Sequence, residues 1–369
     1  MLKRIYIDNF RGLVNFELPL DSINLLLGPN GSGKSTVFDA LRKIQAFVSG
    51  DYKVATLFEG KDLTRWQNSP IQSFELEIEG NSGTYKYELA ILHEIERPFK
   101  RVQVHYERLW FDDKPLLKVE PSGDACFYQD DYSEGPIIPF DLPQSLLGIA
   151  RLRDDNTRLI WFKKRMARFL IVQIIPGMMV GGSNREDRRL AANMENFVSW
   201  YRTISQNQGK MIEITNALKE ILDGFEYFRF LEAGVDHRFL GLSFSGEEGS
   251  YDYLFTELSD GQRMLIALYT LLYATRSEDY TLCIDEPENF LALPEIQPWL
   301  ATLYDLCSAG ETQALLISHH PELIDYLAAS DGYWFDYQSN TPVRVKRIGE
   351  QQEGSLPISE LVARGWLNE

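Results

Sequence analysis

Residues Gly28–Thr36 read G-P-N-G-S-G-K-S-T, set between an apolar run, Ile23–Leu27, and a helix-like run, Val37–Arg42. Few short patterns restrict a fold so tightly. A glycine-rich turn between a buried strand and a helix start aims backbone N–H groups inward and adds the positive end of the helix dipole, so it holds phosphates. The spacing Gly28-x-x-x-x-Gly33-Lys34-Ser35 satisfies the whole phosphate-loop pattern in the flanking context that pattern needs. Asn30, Gly31, Ser32 and Gly33 form the cradle. Lys34 is expected to neutralise the β- and γ-phosphates, Ser35 to hold Mg²⁺ through its hydroxyl, and Thr36 to bond the α-phosphate. The alternative, a chance Gly/Ser-rich turn, does not account for the flanks. The expected ligand is a nucleoside triphosphate.

The bulk of the chain narrows the setting. At 369 residues it can fold as one large domain or two, and 44% hydrophobic with 25% charged residues is ordinary for a soluble globular protein. The longest apolar stretch, Phe169–Val180, is too short for a bilayer and is interrupted by Gln173 and Pro176. Met1–Ile7 alternates like a strand and lacks a signal-peptide core. Of the cysteines, Cys283 and Cys307 read as core fillers, and no Cys/His spacing suggests zinc. A cytoplasmic protein without a membrane partner is expected. The net charge of −17 argues against nucleic acid as the main ligand, because phosphate contacts supply much of the affinity of such proteins. Cation clusters at Arg158, Lys163-Lys164-Arg165 and Arg168, and at Arg185 and Arg188-Arg189, are each either a solvated helix face or a patch for DNA or an acidic partner.

Alternation and turn residues predict a hairpin of Leu2–Phe10 and Val14–Leu20. They also predict an antiparallel sheet from Phe74–Glu79, Tyr85–Leu92, Arg101–Phe111 and Leu116–Glu120, with an extended loop at Phe127–Phe140. Near Leu142 the texture changes, and helix-like segments follow at Arg158–Phe169, Met194–Ser205 and Lys210–Leu222, with a flexible loop expected at Gly177–Arg185. Strands are expected again at Glu226–Leu231 and Arg238–Phe244. After them, helix and strand alternate to Tyr337, as in a parallel sheet with crossover helices. The reading divides the chain into 1–141, a helical lobe at 142–224, and 225–369.

Three further segments complete the chemistry. Tyr280–Glu288 reads as a buried strand ending in adjacent carboxylates; Asp285 is expected to anchor the Mg²⁺ shell and Glu286 to orient and deprotonate the attacking water. In Leu258-Ser259-Asp260-Gly261-Gln262, Ser259 can cap a helix whose open N–H groups form a second anion site. One nucleotide does not need two such cradles from one subunit, so Ser259 and Gly261 are expected to reach the γ-phosphate held by another copy. Leu315–Pro321 places histidine at a strand end, where imidazole can bond the γ-phosphate and sense its loss. His319 is the choice and His320 the fallback; His93, His105 and His237 read as surface or structural.

This ordered set resembles the ABC-type ATPases, and within them the RecF/SMC-like branch of stand-alone ATPases that includes the ATPase halves of OLD-like systems. Asn9-Phe10-Arg11-Gly12 and Asp285-Glu286-Pro287-Glu288-Asn289 are typical of that branch. The resemblance implies an α/β head with a mixed sheet, an antiparallel β subdomain and an inserted helical lobe. It also implies that Arg11 contributes to nucleotide binding, and that two heads sandwich two ATP molecules, each site completed in trans by Ser259, Gly261 and Gln262. Three departures stand out. Phe290–Pro294 replaces a Leu-His-Pro run, Asp260 occupies a position that is glycine in transporters, and the Mg²⁺-bridging glutamine is not evident. Gln67 and Gln72 are candidates for it, each read rather as a surface residue.

More than half the chain separates Thr36 from Leu258, too far for a transporter, and no sustained heptad supplies the coiled coil of an SMC arm. The chain also ends soon after its last strand, at Pro357–Leu367, with no appended nuclease domain expected. The leading expectation is an ATP-hydrolysing switch subunit that controls a separate, nuclease-like effector in bacterial anti-phage defence. The alternatives are a DNA-repair or chromosome-associated ATPase that binds DNA through the helical lobe, and a slow-turnover assembly scaffold.

Overall fold

The computed structural model describes residues 1–94, 101–141, 143–152, 155–247, 249–338, 341–349 and 356–364. Leu142 and Leu367, which bound two of the segments read above, lie outside the described residues. Contacts divide the chain into two compact units, Met1–Phe169 with Leu327–Glu369, and Leu170–Tyr326.

The first unit is built on an eight-stranded antiparallel sheet. The expected hairpin forms from Leu2–Asp8 and Phe16–Pro19, and its first strand also pairs with Ile71–Gly80. The sheet continues through Gly83–Glu94, Arg101–Phe111, Lys114–Val119, Asp124–Phe127 and Ile138–Pro139. Hairpin and later strands therefore share one sheet, which local alternation cannot reveal. Alternate residues face inward: Phe74, Leu76 and Ile78 on one strand, Tyr85, Tyr87 and Leu89 on the next, all 1% exposed or less. Separately, Ile23–Leu27 runs parallel to Gly332–Asp336, which pairs antiparallel with Arg344–Arg347. Every residue of Ile23–Leu27 is buried, which explains its unbroken apolar run. The helix Lys34–Ser49 follows, burying Val37, Phe38, Leu41, Ile44 and Val48 at helical spacing.

In the second unit Phe169–Gln173, Thr281–Asp285 and Gln313–Ile317 are neighbours in that order. The last two strands are parallel, joined through the helix Leu293–Ser308 as the alternation predicted. A second antiparallel sheet carries Gly182–Ser183, Phe225–Glu232, Arg238–Gly246 and Gly249–Leu254. Two local expectations change here. Phe169 starts a strand rather than ending a helix, because Thr157–Met166 stops three residues earlier. Part of Gly177–Arg185 is a paired strand, Gly182–Ser183, and not a free loop. The helices Phe197–Ile204 and Gln208–Ile221 lie where helix was expected.

The cation clusters divide. Arg158 lies over the Phe111 and Tyr132 rings and bonds Asp130, Lys163 bonds the Leu147 and Gly148 carbonyls, and Arg165 is 2% exposed. These cations are spent inside the first unit. In the other cluster Arg185 pairs with Asp187, while Arg188 and Arg189 are exposed. All three cysteines are buried, and none forms a disulfide among the described residues. Among the described residues no helix is long and apolar enough to cross a membrane.

Candidate functional site

The phosphate loop lies in the first unit, and its glycines explain its course. Gly28 has φ 145°, and a Cβ there would run into the Phe335 carbonyl. Gly33 caps the helix at φ 100°, with the Val343 side chain against it. Left-handed backbone of this kind is open to glycine and strained for other residues. Lys34 is 5% exposed and donates to the Gly28 and Pro29 carbonyls at 2.7 and 3.0 Å. The ammonium is therefore stored against the loop. Ser32 is 1% exposed and its hydroxyl has no hydrogen-bond partner among the described residues. A buried, unbonded hydroxyl in a phosphate cradle fits a ligand that supplies the missing acceptor. Asn30, Gly31 and Ser35 are exposed, and Thr36 is half-buried.

Beside the loop opens a cavity of about 580 Å³, lined by Gly31, Gly33 and Thr36 together with Arg11, Lys61, Arg65, Trp66 and Tyr337. Its volume lies in the range of small-molecule sites. Three cations and one carboxylate, Asp62, line it in a chain of net charge −17, so the lining is net positive and favours an anion that the whole molecule would repel. Arg11 bonds Asp39 at 2.7 Å and Asp62 at 3.3 Å and lies over the Phe10 ring. Burial pushes the Asp62 carboxyl up, but the bond and charge of Lys43 outweigh it and hold it below its ordinary value. Trp66 and Tyr337 add two aromatic rings, each more than a third exposed.

Gln72 is not a surface residue. It is fully buried and donates to the Asn9 and Asp62 carbonyls, while its oxygen lies 2.8 Å from His93 Nε2. Both ends of its amide are occupied, so it pins the loop and holds no ion. The His93 reading stands: its burial lowers its pKa, and the ring is structural. Gln67 is half-buried, and its enclosed side-chain oxygen has no hydrogen-bond partner among the described residues. A third glutamine stands at a strand end. Gln173 is exposed at the end of the strand next to Thr281–Asp285. Its signal was an apolar run closed by a polar residue just before Pro176-Gly177.

The other motifs lie in the second unit. Thr281–Ile284 is buried and Asp285, at the strand end, is half-buried. The chain then turns sharply, with Glu286 in the left-handed region at φ 53°. That conformation costs a non-glycine residue on the order of 1 kcal/mol and persists where neighbours enforce it. Here the Glu286 N–H donates to the Ile317 carbonyl at 2.8 Å, and Asn289 Nδ2 donates to its carboxylate at 2.8 Å.

Ser259 caps the helix Asp260–Thr275 in a reciprocal box, its Oγ accepting from the Gln262 N–H and its N–H donating to Gln262 Oε1. In this state Ser259 and Gln262 bond each other and Ser259 is exposed, while Gly261 lies against the Phe290 carbonyl. Asp260, the departure from the transporter pattern, lies in the first turn and is paired with Arg263 at 2.7 Å, which offsets its charge there.

The structure also separates the two strand-end histidines. His320 Nδ1 accepts the Glu322 N–H, which commits its ring to the start of the next helix. His319 is exposed.

The family model described as "AAA domain, putative AbiEii toxin, Type IV TA system" matches residues 23–325, well over half the chain. The chain belongs to this family. A 41-residue stretch, 11% of this family member, is 46% identical to the OLD nuclease of Thermus scotoductus and spans 8% of that relative's length. Among solved structures, a SmcHead bound to the C-winged helix domain of ScpA aligns over 94% of the chain and 97% of its own, with a TM-score of 0.57 at 10% identity. The SMC head domain from Thermotoga maritima aligns over 94% and 98%, with a TM-score of 0.49 at 16% identity. The family member is thus an ATPase of the AAA-domain type, and its mixed α/β architecture resembles that of an SMC head.

Proposed function

We propose that the protein is a Mg²⁺-dependent ATP hydrolase acting as a nucleotide-gated switch. The cationic cavity opening on Gly31, Gly33 and Thr36 supports this most directly. Asn30, Gly31, Ser32 and Gly33 cradle the phosphates; Lys34 leaves its stored position to neutralise the β- and γ-oxygens, and Thr36 bonds the α-phosphate. Arg11, oriented by Asp39 and Asp62, adds charge at the cavity wall. Ser35 and Asp285 would hold Mg²⁺, which would supply positive charge for the β- and γ-phosphates. Gln173, rather than Gln67 or Gln72, would add a side-chain oxygen to that site. Glu286 takes the proton of the attacking water, and His319 bonds the γ-phosphate. Ser259, Gly261 and Gln262 complete the site of a second copy, which gives a homodimer of heads.

We assign the base to Trp66 and Tyr337 at the mouth of the cavity. Truncating the ring that stacks on it to alanine is expected to weaken ATP binding by about 1–3 kcal/mol, with kcat nearly unchanged. Titration with a fluorescent ATP analogue checks this; wild-type affinity in both Trp66→Ala and Tyr337→Ala sinks the assignment.

The switch controls a separate, nuclease-like effector in anti-phage defence. The family description and the local match to an OLD nuclease support this role. The net charge and the internal engagement of Arg158, Lys163 and Arg165 weigh against a DNA-repair ATPase gripping DNA through the lobe. Purification from the native operon with and without ATP tests it. A co-purifying effector whose activity follows nucleotide state supports the switch; salt-sensitive duplex binding by the chain alone, with no effector, replaces it with the repair reading.

A further inference from the structure

Glu288, two residues beyond the assigned base, is 8% exposed. Its Oε1 accepts from Ser318 Oγ at 2.7 Å and from the His319 N–H at 3.1 Å. Ser318 Oγ in turn accepts from the His320 N–H at 3.0 Å. One carboxylate therefore holds the Ser318 hydroxyl and, directly or through it, the backbone N–H groups of His319 and His320 in the loop that carries the switch histidine. The bond from the Glu286 N–H to the Ile317 carbonyl ties the same two segments one step earlier.

Stability alone does not account for this choice of residue. A buried carboxylate is costly unless its oxygens are satisfied, and an amide could accept the same two bonds without burying charge. Glu288 Oε2 is enclosed and has no hydrogen-bond partner among the described residues, so that cost is only half offset. What a carboxylate adds is strength and direction in the bonds it does make.

We infer that Glu288 is a positioning residue for hydrolysis: from the turn after Glu286 it clamps the loop that carries His319, so the γ-phosphate sensor is set in place. The inference rests on the assignment of His319 above and adds what holds that residue in place. Glu288 touches no substrate in this scheme. Its effect passes through the Ser318 hydroxyl and the His319 backbone, so it belongs to the rate of the chemical step and not to nucleotide affinity.

The test compares Glu288→Ala, Glu288→Gln, Ser318→Ala, His319→Ala and the Glu288→Ala/His319→Ala double variant in the full chain. Phosphate release, binding of a fluorescent ATP analogue and thermal unfolding are measured on each. Glu288→Ala is expected to lower kcat by about ten- to a hundredfold, the loss of bonds to a charged group, with analogue affinity unchanged. Glu288→Gln, which keeps an acceptor, recovers most of the rate, and Ser318→Ala falls between the two. The double variant is no slower than His319→Ala, because residues acting through one group are not additive.

Wild-type turnover in Glu288→Ala beside a slow His319→Ala overturns the clamp and leaves the sensor in place. Wild-type turnover in both overturns the sensor as well. Losses that multiply in the double variant show that Glu288 acts apart from His319, which also overturns the proposal. If Glu288→Ala loses melting temperature and nucleotide binding while Ser318→Ala is unchanged in rate, Glu288 is only structural and the clamp is wrong.

Discussion

ATP turnover in Glu286→Gln is expected to fall by about a hundred- to ten-thousandfold, the usual contribution of a positioned general base, while ATP binding is retained. The geometry makes this a clean substitution. Glutamine keeps an oxygen for the Asn289 Nδ2 bond, and the backbone bond to Ile317 that enforces the left-handed turn does not involve the side chain. What is lost is the ability to take a proton from water. With hydrolysis blocked, the ATP-loaded form accumulates, so the variant should run as a dimer with ATP and Mg²⁺ and as a monomer without nucleotide. Phosphate release and light scattering after size exclusion measure the two effects. Unchanged hydrolysis removes Glu286 from the role of base.

The second large effect concerns the division of the site between copies. Lys34→Met and Ser259→Arg are each expected to be inactive for different reasons. The first lacks the ammonium that meets the β- and γ-phosphates; the second carries a bulky cation at an exposed helix cap. Mixing them in equal amounts should restore about a quarter of wild-type activity, because half the random pairs are mixed and each mixed pair has one intact site of two. The recovery should vanish on dilution below the dimer dissociation constant. Ser259→Arg that binds the ATP analogue normally but cannot be rescued by Lys34→Met would show that the cap serves only its own helix. The cap box with Gln262 makes that outcome structurally possible, since the isolated chain already satisfies Ser259.

How much of this was legible follows the range of the interactions. The phosphate loop, the strand-end carboxylates and the helix cap at Ser259 are local patterns in which spacing alone implies geometry, and the helices and strands fall close to where periodicity put them. The strand at Phe169–Gln173 was missed because a continuously apolar run reads equally as the end of a helix. Gln173 goes with it, since the polar residue closing that apolar run gains meaning only from its position beside Thr281–Asp285. Gln72 reads as polar and therefore exposed, yet three hydrogen bonds to Asn9, Asp62 and His93 make it a buried brace. The cations of Arg158–Arg165 read as a surface stripe, but their partners come from distant strands and carbonyls.

The amino-acid order by itself determined that this chain carries an ATPase head, because a phosphate loop, a signature and a carboxylate-ended strand are short-range chemistry written in consecutive residues. Only the tertiary structure decided which neighbours orient those groups. Asp62 bonding Arg11, Asn289 bonding Glu286 and Glu288 holding the His319 loop are side-chain choices made among many acids and amides. In a chain with 54 acidic residues, only packing in three dimensions assigns one carboxylate to a particular donor, because long-range pairing leaves no periodic trace in the sequence.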